Sequence, residues 1–356
     1  MNNQFSIYLD FLRFSASVVV FLSHVTIMGN PLLWRLAVFP AHEAVVLFFV
    51  LSGYVIAYVV YDRQETLKNF FVNRFSRVYS VVIPSIIITI VSYNVCLIYK
   101  PQLLDWFAGQ LASPSYSLFS VFFMLHQSWQ QVIYYTNAPM WSIAFEMFYY
   151  VLFACIFYLK GFKRFLFASI VIIVMGPNIL FYFPLWMLGV AAFFINKKRM
   201  LSVNRSFLCF ILSIVMIIII LLDIGEASAL SLTQAILPAK LLALFNPQTQ
   251  NIVYDYLFGL IVVFHFCSAF SLFSYKEVAT EYMGNLIRKA AGCTFSLYLY
   301  HLPLLYVVTA LVSAQDQSIL HAILVLVVLP IAMNVLSLFT EQRKDIYKKL
   351  FLKVIN

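Results

Sequence analysis

Arg13 and His24 stand in the run YLDFLRFSASVVVFLSHV, residues 8–25, which is otherwise apolar enough for a membrane interior. Eleven positions separate them. At 3.6 residues per turn that is close to three full turns, so in a helix both side chains leave one face, about 16 Å apart along the axis. Asp10, one turn before Arg13, is a ready ion partner. A histidine here suits proton transfer because its unperturbed pKa is about 6.5. Both residues also fit quieter roles: Arg13 snorkelling to the near interface beside Asp10, and His24 neutral and bonded to a carbonyl.

Other groups with chemical capacity recur along the chain. Glu146, in MWSIAFEMFYY with Trp141 and Ser142, falls near the outer end of an apolar run at a depth similar to His24. A carboxylate and an imidazole at equal depth can form an acid–base pair, and the carboxylate alone can serve as a structural hydrogen bond to another helix. Arg74 and Arg77 in FFVNRFSRVYS share one side of a helical turn, with Lys68 nearby. Guanidinium forks match phosphate oxygens, although membrane topology by itself also places basic residues in such loops. No Gly-rich phosphate loop accompanies them. Tyr298 and His301 in TFSLYLYHLPLL take adjacent positions on a helix face, either as a site or as a packed pair. His42 and Glu43 stand where a second apolar run begins, at an interface or facing an external molecule. Five cysteines are scattered with no CxxC pair, so neither a metal site nor a disulfide is expected.

The elements that must position these groups are membrane spans. The chain has 356 residues, 63% hydrophobic and 10% charged, against about 25% charged in soluble domains. Mean hydropathy is +0.92. A span needs about 20 mostly apolar residues, and ten runs qualify: 8–28, 43–61, 80–99, 142–160, 165–181, 182–196, 206–223, 255–273, 295–313 and 319–339. The fifth and sixth are short and meet near Gly176, Pro177 and Pro184. Stretches 116–135 and 229–246 read as interfacial or re-entrant helices. With both termini cytoplasmic, nineteen of the 23 Lys and Arg residues fall in cytoplasmic segments, the bias that orients membrane proteins. The net charge of +9 therefore reflects topology and does not imply nucleic acid. The first run is expected to be retained as a span, because no basic residue precedes it and no small-residue cleavage site follows. The expectation is an all-α bundle of about ten transmembrane helices, one domain over residues 1–356, with outer segments 100–141 and 224–254 available for recognition of an external molecule.

Five stretches in one order, LDFLRFSASVVVFLSH, FFVLSGYVI, RFSRVY, WSIAFEMFYY and FSLYLYHLP, resemble the acyltransferase-3 family of bacterial integral-membrane acyltransferases. The spacing of Arg13 and His24 is the most specific of these signatures, and the resemblance runs from residue 8 to about 339. It implies transfer of an acyl group, most often acetyl, from cytoplasmic acyl-CoA to a hydroxyl of an extracytoplasmic cell-envelope carbohydrate or lipid-linked glycan, in the bacterial cytoplasmic membrane. No tightly bound cofactor is expected; acetyl-CoA is a co-substrate. By the resemblance, Arg13, Arg74 and Arg77 lie near the CoA phosphates and His24 at the reacting centre. On this reading Tyr298 and His301 join the donor-binding set, His24 is the general base with Glu146 as its partner, and Asp10, Ser52, Trp141 and Ser142 support them. Ser80, Ala144 and Phe11 stand where the family often carries proline, serine and glycine. A polysaccharide exporter or flippase is the alternative, since intramembrane charges also mark transport paths, but no inverted repeat is visible.

Overall fold

A computed structural model describes residues 3–107, 111–198, 200–222, 226–245, 247–276 and 279–355. Arg199 of the basic loops, Asp223 at the end of the seventh run and short parts of both outer segments lie outside the described residues. All regular structure among the described residues is helical. In chain order the α-helices are α1 (Asn3–Val25), α2 (Ala41–Tyr61), α3 (Leu67–Tyr99), α4 (Pro114–Phe122), α5 (Trp141–Tyr158), α6 (Gly161–Lys198), α7 (Val203–Leu221), α8 (Glu226–Ile236), α9 (Ala239–Leu242), α10 (Ile252–Phe273), α11 (Glu281–Ala291), α12 (Thr294–Leu311), α13 (Ser318–Ile323), α14 (Leu329–Phe339) and α15 (Lys344–Ile355). A single π-turn, Leu324–Val328, joins α13 to α14.

Among the described residues nine elements are long and apolar enough to cross a membrane. The expected stretches 165–181 and 182–196 are both held in one of them, α6, which is interrupted at Gly176 (φ 73, ψ 173). The hydrogen bonds show what this interruption does. The Lys197 ammonium donates to Asp62 Oδ1 at 2.9 Å. Tyr158, three residues before α6 begins, donates to the Glu65 carbonyl at 2.6 Å. Both ends of α6 are thus tied to the short loop after α2, whereas 38 residues of straight helix would separate them by about 57 Å. The element therefore doubles back. Gly176 takes the positive φ that a side chain would oppose, and Pro177 starts the second arm where its missing N–H costs nothing. The tally of nine elements thus conceals ten apolar runs. The ambiguous stretches fall on α4, α8 and α9, all too short to span a bilayer.

The chain divides into two compact units. The first comprises Met1–Ala16, His42–Thr66 and Phe148–Ala291. In it α10 packs on α6 and α7. Helix α2 meets the second arm of α6 through two glycines: a methyl group on Gly53 would stand 2.1 Å from the Trp186 carbonyl oxygen, and one on Gly189 would stand 1.8 Å from that of Val50. Small residues let helix backbones approach this closely where lipid supplies no hydrophobic drive. This gives the glycine of FFVLSGYVI its physical role. Helix α7 exposes Phe207, Leu208 and Ile218, as a lipid-facing helix does.

The second unit comprises Ser17–Ala41, Leu67–Met147 and Gly292–Asn356. Here α3 packs along α12, and α15 packs on α3, with the Phe351 ring 6.1 Å from both Phe75 and Tyr79. The α3–α12 contact has a specific cause. Pro303, inside α12, has no N–H to donate to the carbonyl of Leu299. That orphaned oxygen instead accepts from Ser85 Oγ of α3 at 3.3 Å and from Asn137 Nδ2 at 3.2 Å. The Pro303 carbonyl accepts from Ser92 Oγ at 2.7 Å. Backbone groups freed by proline inside a bilayer must be satisfied by neighbours, so the proline of FSLYLYHLP welds α12 to α3.

Candidate active site

Helix α12 is fixed at three levels, and these fix Tyr298 and His301. At its N-terminus the Glu341 carboxylate, buried, accepts the backbone N–H of Ser296 at 2.8 Å and of Phe295 at 3.4 Å. Those are orphan donors of a first helical turn, where a negative charge also complements the helix dipole. One turn on, Tyr300 donates to Thr340 Oγ1 at 3.0 Å. Above that come the Leu299 and Pro303 carbonyls just described. His301 sits between these ties, fully buried.

His301 meets His24. The His301 Nε2 to His24 Nδ1 distance is 3.1 Å, with ring centroids 5.0 Å apart. The other bonds assign the protons. His301 Nδ1 lies 3.0 Å from the Leu297 carbonyl, and His24 Nδ1 lies 2.9 Å from the Val20 carbonyl. A carbonyl oxygen only accepts, so each Nδ1 carries a hydrogen. His301 Nε2 is then a lone pair, and it accepts a share of the His24 Nδ1–H. What remains is His24 Nε2, an unprotonated nitrogen able to take a proton. Protonation there would strengthen the Nδ1–H bond to His301.

Beside this pair, Ser142 Oγ and the Tyr298 hydroxyl are 2.7 Å apart. Tyr298 lies one turn before His301, with rings 6.3 Å apart. Glu146 is one turn beyond Ser142 on α5, half-buried, and close enough to act electrostatically on Tyr298. Trp141 packs edge-on against Phe145 at 5.1 Å. Five expected residues, His24, Ser142, Glu146, Tyr298 and His301, thus belong to one unit. The imidazole that the geometry brings to His24 is that of His301, which the sequence reading grouped with the donor.

Arg74 and Arg77 lie half-buried on one side of α3 in the same unit; Arg74 stacks over Phe70 at 5.9 Å. Lys344, at the start of α15, and the Glu341 carboxylate are within electrostatic reach of Arg77. Arg13 and Ser52 belong to the first unit. Arg13 Nη1 pairs with Asp10 Oδ1 at 3.2 Å, the partner expected from the spacing, and α1 is one helix through both Arg13 and His24. Ser52 Oγ lies 3.3 Å from the Tyr150 hydroxyl.

Sequence reasoning missed Glu341, Ser85 and Asn137, which hold α12 in place. A proline inside an apolar run was the available signal, because it declares an unsatisfied carbonyl four residues earlier. It also missed the bond from His42 Nε2 to Asp255 Oδ1, at 2.6 Å. No group of three or more His, Cys, Asp or Glu residues with metal-ligand geometry occurs among the described residues, and the five cysteines carry no disulfide.

No curated protein and no solved structure matches the chain. The family model of the acyltransferase-3 group, described as an acyltransferase domain, matches residues 6–339. That match covers nearly the whole sequence, from the first helix to the end of α14, and includes every residue of the His24–His301 centre. The chain therefore belongs to the acyltransferase-3 family, and is an acyltransferase built as a multi-helix membrane protein.

Proposed function

We propose that this enzyme moves an acyl group, most often acetyl, from cytoplasmic acyl-CoA to a hydroxyl of a cell-envelope carbohydrate outside the bacterial cytoplasmic membrane. The observation that carries the mechanism is the proton arrangement of His24 and His301. The acceptor O–H gives its proton to His24 Nε2. The oxygen attacks the thioester carbonyl carbon, the C–S bond breaks, and the proton passes to the departing CoA thiolate. The products are an ester and free CoA. While His24 is protonated, His301 Nε2 accepts its Nδ1–H and stabilises the charge without taking the proton. Glu146 acts through Ser142 and Tyr298 on the same centre. Arg13, Arg74 and Arg77 hold the donor phosphates, as charge-assisted hydrogen bonds do well.

The test is transfer of labelled acetyl from acetyl-CoA by the purified protein in lipid nanodiscs, together with mass spectrometry of envelope glycans from cells with and without the gene. An acetyl increment present with the gene and lost without it is the expected result. Unchanged glycans together with no binding of acetyl-CoA would overturn the proposal and favour a glycan exporter.

A further inference from the structure

A second histidine site lies in the first unit, apart in its chemistry from the His24 pair. Asp255, at the start of α10, is only 1% exposed. Its Oδ1 lies 2.6 Å from His42 Nε2, and its Oδ2 accepts the hydroxyl of Tyr182, which is equally buried. Both carboxylate oxygens are thereby engaged, from α2 on one side and the second arm of α6 on the other. A buried carboxylate is tolerated when it is paired and hydrogen-bonded in this way. The arrangement has a consequence for His42. With Nε2 donating to Asp255, the ring is held in one orientation, and Nδ1 is its second hydrogen-bonding nitrogen.

The His42 side chain is 30% exposed, so this oriented ring is partly open to the outside of the unit. The charged groups that act on the ring most strongly are carboxylates: Asp255, then Glu43 beside it and Glu226 of α8. Glu226 is held close to the same end of α10, where the Asn251 side-chain amide donates to its carbonyl oxygen at 3.3 Å. Loop charges put this end of α2 and α10 on the outer side, and α8 belongs to the outer segment 224–254. An imidazole with three carboxylates around it suits a ligand rich in hydroxyl groups, which both donate and accept, and disfavours an anion.

We propose that His42, oriented by Asp255 and Tyr182, is an acceptor-binding site: its Nδ1 forms a hydrogen bond with a hydroxyl of a neutral or cationic sugar. This rests on the reading of the enzyme as a carbohydrate acyltransferase and locates a recognition group that the reaction centre itself does not provide. His42 is here a specificity group, not the base.

The experiment uses saturation-transfer NMR on the full-length protein in nanodiscs. The probes are methyl glycosides of glucose, galactose, rhamnose and N-acetylglucosamine, with methyl glucuronide as the anionic comparison. Wild type is expected to hold at least one neutral glycoside and to hold the glucuronide more weakly. His42→Gln keeps an amide donor for Asp255 but removes the Nδ1 hydrogen bond, so the unit stays folded while glycoside affinity falls about tenfold, the scale of one lost hydrogen bond. Calorimetry with CoA should give the same affinity for both proteins. Glycoside binding by His42→Gln equal to wild type overturns the assignment, as does a wild type that holds none of the neutral probes. Acetyl transfer from acetyl-CoA to a retained glycoside is measured separately. If the glycosides bind and are lost on His42→Gln but no acetyl moves, the site stands and the acyl-transfer reading fails.

Discussion

His24 Nδ1 and His301 Nε2 lie 3.1 Å apart, and each ring's remaining Nδ1 contact is a backbone carbonyl of its own helix. The pair is therefore locked in one tautomer, with the free base on His24 Nε2. Removing that base is expected to cost about 10²–10⁴-fold in rate. His301→Ala should also lower turnover, and the double variant should be little slower than His24→Ala alone, since cooperating catalytic groups are not additive. His301→Gln, whose amide oxygen can still accept from His24, should recover part of the loss. Losses that multiply cleanly in single-turnover assays would mean the two rings work separately.

Arg13, Arg74 and Arg77 should govern donor affinity. Replacing each by Ala should weaken CoA binding about tenfold, given about 1.5–3 kcal/mol for a hydrogen bond to a charged group, and leave acceptor constants nearly unchanged. Isothermal calorimetry checks this directly. Equal affinity in all three variants would reduce these arginines to markers of topology.

Glu341 is expected to be a positioning residue that acts at a distance. Its carboxylate satisfies two N–H groups at the start of α12, two turns below His301. Glu341→Ala leaves buried donors unmet, a loss of about 1–3 kcal/mol, and should lower both the unfolding temperature in detergent and kcat. Glu341→Gln retains one amide oxygen as acceptor and should restore most of both. A normal kcat in a correctly folded Glu341→Ala protein would show that α12 is held adequately without it.

Gly53→Ala should be among the most damaging single changes outside the site. The added methyl would meet the Trp186 carbonyl at 2.1 Å, and backbone at that distance cannot yield as a flexible side chain would. Low yield of folded protein on size exclusion is expected, with the same outcome for Gly189→Ala.

His126, in the segment between α4 and α5, is buried with Nε2 3.0 Å from the Met140 carbonyl. Burial lowers its pKa to about 4. Its unfolded value is about 6.5, so on acidification the unfolded chain gains a proton before the folded one does. Stability from this group is complete above pH 6.5 and declines as the pH falls towards 4, by an amount on the order of 3 kcal/mol. Thermal unfolding at pH 7 and pH 4.5 should show the decline, and His126→Gln should flatten it.

What the amino-acid order determined by itself was whatever depends on local spacing. Apolar runs of span length, the reversal at Gly176–Pro177, the shared face of Arg13 and His24, and the Asp10–Arg13 pair all follow from helical period and from the φ preferences of glycine and proline. The five motifs gave the family in the same way. Tertiary structure alone decided which groups meet. Equal depth suggested Glu146 for His24, but depth fixes only one coordinate; the rotation and crossing of helices fix the other two. It was Pro303, by freeing the Leu299 carbonyl for Ser85 and Asn137, and Glu341, by capping α12 from 45 residues away, that turned His301 towards His24. Asp255 reads in sequence as the edge of an apolar run. Only the packing of α2, α6 and α10 shows that it holds His42 and Tyr182, because hydrogen bonds between residues 213 and 73 positions apart leave no periodic trace.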